Sequence, residues 1–386
     1  MNRFPLDSVG GTTRSRIMND PLSIEDRFTG CLLGGAVGDA LGAPVEFLSR
    51  RQILDRFGPE GVGKYAPSYG GLGRITDDTQ MTLFTAEGLL RSWVRGTIRG
   101  ITHYPSIICH AYMRWLLTQG EKPAPEMRRL MADSIEQSPG WLFQQRALHD
   151  RRAPGNTCLS ALRFVTGLGD MAKNDSKGCG GVMRVAPIGL FGHRAGHRQE
   201  VFELGCDAAA ITHGHPTGQH PAGVLALMIN LLAEGQTIRQ ALEVAKDFLE
   251  ARNDTDDTRR AIELAERLAA TATPHHAAIA QLGQGWVAEE ALAISIYCAL
   301  VAKDFRHGVM LAVNHDGDSD STGAITGNLL GVLYGVKAIP DEWLEFLELR
   351  DVITELAKDL ANFQRWDVGE YGGTDNDRVW EKYPGY

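Results

Sequence analysis

The segment Gly30-Cys31-Leu32-Leu33-Gly34-Gly35-Ala36-Val37-Gly38-Asp39-Ala40-Leu41-Gly42 carries a glycine at every fourth position, at 30, 34, 38 and 42. Gly323, Gly327, Gly331 and Gly335 repeat that spacing in GAITGNLLGVLYG. Positions four apart on an α-helix fall on one stripe, so each segment presents a face bare of side chains. An interior glycine costs about 1 kcal/mol against alanine, so several kcal/mol must be offset in each helix. Close approach of another element's backbone is the compensation such a face permits. The glycines are therefore read as packing residues, and chemistry is expected in what flanks them.

Outward from these segments the apolar residues keep a helical period, as in Met81-Leu83-Phe84-Leu89-Leu90, Val224-Leu227-Met228-Leu231, Ile262-Leu264-Ala265-Leu268 and Val352-Leu356-Leu360. Strand-like alternation is hard to find. The expected fold class is all-α, with well over ten helices and with loops at the Pro/Gly clusters 58–73, 120–125, 138–140 and 152–156. No Pro/Ser-rich linker divides the 386 residues, which favours one compact body. Residues 1–25 form an N-terminal extension without apolar period, read as a flexible tail or as an arm that orders on a partner.

The net charge of −9, without a Lys/Arg block, argues against a nucleic-acid or anionic-membrane surface. No apolar run reaches the ~18 residues of a spanning helix, and the N-terminus has no hydrophobic signal core. The six cysteines include no C-x-x-C pair, so neither a zinc site nor a disulfide framework is indicated. A cytoplasmic location is expected.

Each glycine stripe adjoins acids. Glu46 follows the first, in GAPVEF, and Asp316, Asp318, Asp320, Ser321 and Thr322 lead into the second, in NHDGDSDSTG. Thr76-Asp77-Asp78-Thr79 stands before the helical period that starts at Met81. Thr and Asp are good N-caps, so both acidic clusters should open helices. A cap needs one oxygen, whereas each cluster supplies at least three beside apolar or glycine-rich sequence. Buried, unpaired carboxylates repel and are costly to desolvate. A divalent cation relieves both penalties, and an oxygen-only donor set suits Mg²⁺, Mn²⁺ or Ca²⁺ better than zinc. Two look-alikes fail. Thr255-Asp256-Asp257-Thr258 is followed by Arg259, Arg260, Glu263 and Glu266, which reads as a capped, solvent-facing helix. An EF-hand starting at Asp316 would have Ser321 where glycine is needed and Gly327 where glutamate is needed.

Lys177-Gly178-Cys179-Gly180-Gly181-Val182-Met183-Arg184 reads either as a glycine-rich turn or as a phosphate cradle to which Lys177 or Arg184 adds charge. His213 and His215 are hydrogen-bonding or acid–base candidates. Trp286 is an aromatic face for a base or a core residue.

Taken together, GCLLGGAVGDALGAPVEF, ITDDTQMTL, RAPGNTCLSAL, KGCGGVMRVAPIGL, ITHGHP, GQGWVAEEAL and GDSDSTGAITGNLLGVLYG resemble the ADP-ribosylglycohydrolase family, in order from about Asp26 to about Asn362. That family includes ADP-ribosylarginine hydrolases and the dinitrogenase-reductase-activating glycohydrolase. The resemblance implies a compact single-domain orthogonal helical bundle over residues 26–386. It also implies a dinuclear Mg²⁺ centre, with Mn²⁺ as the alternative ion, that cleaves the glycosidic bond between ADP-ribose and a protein side chain, arginine being expected. Carried over by motif, Thr76, Asp77 and Asp78 would bind one ion, Asp318 and Ser321 the other, and Asp320 would bridge them. Glu46 would stand at the ribose or the second metal, while His213, Gly178, Gly180, Gly181 and Trp286 would line the ADP-ribose groove. The chain departs from the family pattern G-G-D-x-D-T at two positions, Asp316 and Ser321. Ser321 keeps a hydroxyl, whereas Asp316 adds a carboxylate with no assigned role.

Glycosidic hydrolysis passes through an oxocarbenium-like transition state and needs an oriented water. Glu46, Asp78 or Asp318 is expected to accept that water's proton. The partner is an ADP-ribosylated protein. The rival reading is an immunity or regulatory protein that blocks an ADP-ribosyltransferase through residues 1–25, which carry Arg3, Arg14 and Arg16.

Overall fold

The computed structural model describes residues 22–137 and 139–385; most of the N-terminal extension, and with it the proposed partner-binding arm, lies outside the described residues. Eighteen α-helices and five short 3-10 turns make up the regular structure, and no strand occurs among the described residues. The all-α expectation holds. Two isolated bridges, Ser68–Gly71 and Gly178–Val287, are the extended pairings.

Helix α1 (Ile24–Gly42) starts at the N-cap Ser23, whose hydroxyl oxygen accepts from Asp26 N–H. It is buried on every side from Phe28 onward. Its glycine stripe meets the stripe of the Ser319–Tyr334 helix, and the two run antiparallel. A Cβ placed on Gly30, Gly34 or Gly38 would stand 2.0–2.4 Å from the carbonyl oxygens of Gly331, Gly327 and Gly323. The reverse construction on Gly323, Gly327 and Gly331 gives 2.0–2.5 Å. Each stripe is thus the other's compensation, which the period alone does not reveal. The antiparallel register sets the C-terminal end of α1 beside the N-terminal end of its partner. Asn328 locks that register by donating to Cys31 O.

Two further helices complete the frame. Helix α2 (Arg50–Phe57) begins in a capping box made by Ser49 and Gln52. Helix α3 (Asp77–Arg99) begins at Thr76 and ends at Gly100, which has φ +71°. Around them a continuous core joins Phe28, Val37, Phe84, Trp115, Leu227, Ile294 and Leu356. No described helix is long and apolar enough to cross a membrane.

Candidate active site

Asp39, in the last turn of α1, is fully buried. Its carboxylate accepts from the N–H groups of Thr76 and Thr79 and from the Thr79 hydroxyl. It therefore takes up donors that the first turn of α3 leaves open, and an anion there is favoured by the helix dipole. With this end held, Thr76 caps α3 by accepting from Asp78 N–H at 3.3 Å. Asp77 is steadied by Gly155 N–H at 3.1 Å, and its own N–H donates to Arg152 O. Buried Arg152 ties this loop to Ile75 O and to Glu348.

The second acidic cluster meets the first across the glycine contact. Asp318 caps the Ser319–Tyr334 helix by accepting from Ser321 N–H at 3.2 Å, and it also accepts from the Cys179 thiol at 2.8 Å. The Ser321 hydroxyl donates to Asp78 at 3.0 Å, joining the two helix starts. Carboxylate oxygens of Glu46, Asp318 and Asp320 lie within 4.8 Å of one another. Asp39, Glu46, Asp77, Asp78, Asp318 and Asp320 are each at most 7% exposed. None of the six has an ion-pair partner among the described residues.

This uncompensated charge shows in proton affinity. Burial, with added repulsion from Asp318, Asp77 and Asp39, pushes Glu46 up to about 9. Burial likewise raises Asp77 to about 8 and Asp39 to about 6, the latter against the pull of its hydrogen bonds. Asp78 and Asp320 are raised well above the ordinary carboxyl range by burial, Asp78 with repulsion from Asp77 and Asp320 with repulsion from Glu46. Glu46 Oε2 is buried with no hydrogen-bond partner. An all-oxygen set that combines net negative charge with a bare oxygen fits hard divalent cations.

Residues outside the acid cluster stand near it. Phe47, 72% exposed, stacks on Trp286, 39% exposed, with centroids 5.9 Å apart. Trp286 is thus a surface aromatic, and its carbonyl accepts from Cys179 N–H. Tyr69, at φ +48°, has its hydroxyl pKa raised by burial and then by the charges of Glu46 and Asp320. His213 lies against the glycine turn: a Cβ on Gly178 would sit 3.4 Å from its Nε2, and one on Gly180 3.2 Å from its Cε1. A Cβ on Gly181 would meet Ala209 Cβ and Gly218 O at 2.9 Å.

A statistical model of the family described as ADP-ribosylglycohydrolase matches residues 20–368. The chain belongs to the ADP-ribosylglycohydrolase family. Members of this family remove ADP-ribose by hydrolysis. The chain is 26% identical over 335 residues to the ADP-ribosyl-[dinitrogen reductase] glycohydrolase of Rhodospirillum rubrum, covering 85% of this chain and 92% of that protein. It is 24% identical over 347 residues to the ADP-ribosylarginine hydrolase Tri1 of Pseudomonas putida, covering 87% and 78%. A solved structure titled ADP-ribosylglycohydrolase-related protein complex superposes with a TM-score of 0.59 at 29% identity, covering 88% of this chain and 98% of that one.

The acids expected from sequence do converge, but several other readings change. Lys177 does not point into the glycine turn, because its ammonium pairs with Glu289 at 2.7 Å and lies 3.8 Å from Asp257. Arg184 is fully buried and donates to Ala208 O and the Thr212 hydroxyl, so it adds no charge to the cradle directly. His215 is a cap, its Nδ1 accepting from Thr217 N–H. Thr255 makes no side-chain cap, while Asp256 and Asp257 pair with Arg259 and Arg260 on an exposed face. Asp316 is exposed and accepts from Arg50 N–H at 3.0 Å, tying the start of α2 to the loop before the Ser319–Tyr334 helix. Sequence reasoning missed Asp39, Phe47 and Tyr69. For Asp39 the signal was present, as a lone acid inside a helix otherwise made of glycine and apolar residues.

Proposed function

We propose that this family member is a divalent-cation-dependent hydrolase, using Mg²⁺, that releases ADP-ribose from modified arginine side chains. The observation that carries the reading is the set of six buried carboxylates, gathered from three segments, without a cationic partner among the described residues. Thr76, Asp77 and Asp78 would hold one ion and Asp318 and Ser321 the other, with Asp320 shared between them. When bound, such ions supply Lewis acidity that orients sugar hydroxyls and activates water.

The chain's own groups do the rest. Asp78 oxygens already accept from the Ser321 hydroxyl, and Asp318 from Ser321 N–H and the Cys179 thiol. Glu46 Oε2 carries no such bond, which makes it the best placed of the three expected acids to take a proton from water. Ionised once cations offset the repulsion that raises it, Glu46 would also suit the positive charge that develops at the ribose. In this reading Gly178, Gly180 and Gly181 would line the ADP-ribose groove, with His213 packed against their turn. Trp286 and Phe47 offer an aromatic face at the mouth. A guanidinium leaving group is resonance-stabilised, which eases departure from ribose.

The test is release of ADP-ribose from arginine-linked and serine-linked substrates, with Mg²⁺ and with chelator. Mg²⁺-dependent release from the arginine-linked substrate is expected, with a loss of at least about 100-fold in Asp78→Ala and Asp320→Ala. Folded variants that work as fast as wild type would refute the assignment.

A further inference from the structure

Arg184 leaves the Lys177–Arg184 segment and turns into the core, where it stacks over the Tyr112 ring at 4.3 Å. A guanidinium can only donate hydrogen bonds. Its Nη2 donates to Ala208 O at 2.9 Å and to Thr212 Oγ1 at 2.7 Å. The Thr212 hydroxyl therefore accepts from Arg184 and has one proton of its own to place. Three acceptors are within reach, Ala209 O at 3.4 Å, His213 Nδ1 at 2.8 Å and the Cys158 sulfur, which already accepts from Arg184 Nη1. Ala209 O already accepts from the N–H groups of Thr212 and His213. The shorter, less contested bond is to Nδ1.

A neutral imidazole that accepts at Nδ1 carries its proton on Nε2. Burial, reinforced by the nearby Arg184 charge and opposed by a weaker ring contact with Ala209 O, pushes His213 down to about 3, so a second proton is disfavoured. The Nε2 edge faces the glycine turn, 3.4 Å and 3.5 Å from where Cβ atoms on Gly178 and Gly180 would stand. We propose that Arg184, acting through the Thr212 hydroxyl, fixes His213 as the neutral Nε2–H tautomer, so that the ring offers one hydrogen-bond donor to an anionic oxygen at the Gly178–Gly181 turn. Arg184 and Thr212 are then positioning residues, and the two cations of the segment reach the ligand only indirectly or not at all. Because the ring does not change charge, the donor stays in place from pH 5 to pH 9. The identity of the anion, a phosphate oxygen of ADP-ribose, rests on the function proposed above; the tautomer does not.

The decisive measurement is the ¹⁵N spectrum of the His213 ring in the ligand-free protein, joined to binding of ADP-ribose and of pyrophosphate. Wild type should show Nε2–H as the dominant form at pH 7. Thr212→Val should lose that preference and bind ADP-ribose more weakly by up to about tenfold, in proportion to the fraction of competent tautomer. Its KM should rise with kcat nearly unchanged, and Thr212→Ser should restore both tautomer and affinity. A wild-type ring protonated on Nδ1, or charged at pH 7, overturns the proposal without any variant, as does a folded Thr212→Val protein that binds like wild type. Binding of pyrophosphate but not ADP-ribose supports the relay and overturns the ADP-ribose reading. Binding of neither overturns both.

Discussion

Replacing Gly327 by alanine tests whether the two glycine stripes touch backbone to backbone. The new Cβ would stand 2.0 Å from Gly34 O, 2.6 Å from Gly34 C and 3.0 Å from Gly35 N, all backbone atoms that cannot rotate away. Ordinary contact needs about 3.4 Å or more, so the helices must part locally by about 1.4 Å. Overpacking of this kind costs about 1–3 kcal/mol and at times more, against about 1 kcal/mol gained from helix propensity. Because the atoms met are backbone, the upper end of that range applies, and about 3 less about 1 leaves a net loss of about 2 kcal/mol. At roughly 2 cal/mol/K per residue of unfolding entropy, this lowers Tm by about 2–3 °C in a chain of this size. Gly96 in α3 is the control, because its Cβ would meet only Thr102 Cγ2 at an ordinary 3.4 Å. Gly96→Ala should raise Tm by about 1 °C. Parting the helices at Gly327 also shifts Asp318 and Asp320 against Asp39 and Asp78, so Gly327→Ala should bind Mg²⁺ more weakly than Gly96→Ala by calorimetry. A Gly327→Ala protein that melts no lower than Gly96→Ala and binds Mg²⁺ equally well would refute the reasoning.

The carboxylates predict a pH signature. Glu46, Asp77 and Asp39 are raised to about 9, 8 and 6 when folded, against values near 4 when unfolded. Their contribution to the stability of cation-free protein is therefore full below about pH 4 and is lost as pH rises through about 6, 8 and 9. Melting in chelator should fall between pH 5 and pH 9, and Mg²⁺ should raise Tm most at the alkaline end; a Tm that climbs over this range in chelator contradicts the uncompensated cluster. Asp316→Ala removes the exposed acceptor of Arg50 N–H, so Tm should move by no more than about 1 °C. Freed from that tether, the turn bearing Glu46 should lower kcat a few-fold, and Asp316→Asn, which still accepts, should restore it. Equal rates for the two variants would remove Asp316 from any positioning role.

Much of the frame was legible because it depends on local pattern. Residue type lets both acidic clusters be read as helix starts, and the structure makes Thr76 and Asp318 the caps. The glycine period identified two bare faces, but a period specifies a face without naming its partner. Only the tertiary register shows that Gly34 meets Gly327 and Gly38 meets Gly323. The acids were found as a set because desolvating several of them without cations is so unfavourable. Asp39 escaped because its task is local: it satisfies backbone N–H groups of a helix distant in sequence, and no spacing rule encodes that. Lys177 and Arg184 were misjudged for the opposite reason. Charge beside glycines resembles a phosphate site, whereas Glu289 and the Thr212 hydroxyl, far along the chain, decide where each side chain goes.

The antiparallel glycine contact also bears on synthesis. Asn328 donates to Cys31 O across 297 positions of chain, and Ser321 reaches Asp78 across 243. At about 5–20 residues per second, α1 waits roughly 15–60 s on the ribosome before its partner exists. Until then its glycine stripe has nothing to pack against, and Asp77 and Asp78 lack the acids that would complete a cation site. A cation bound as proposed would therefore find its full set of donors only after the Ser319–Tyr334 helix has been made, as a clasp on elements already present instead of a nucleus for folding. The same delay keeps the acid cluster unassembled until both of its halves, 243 positions apart, have been made.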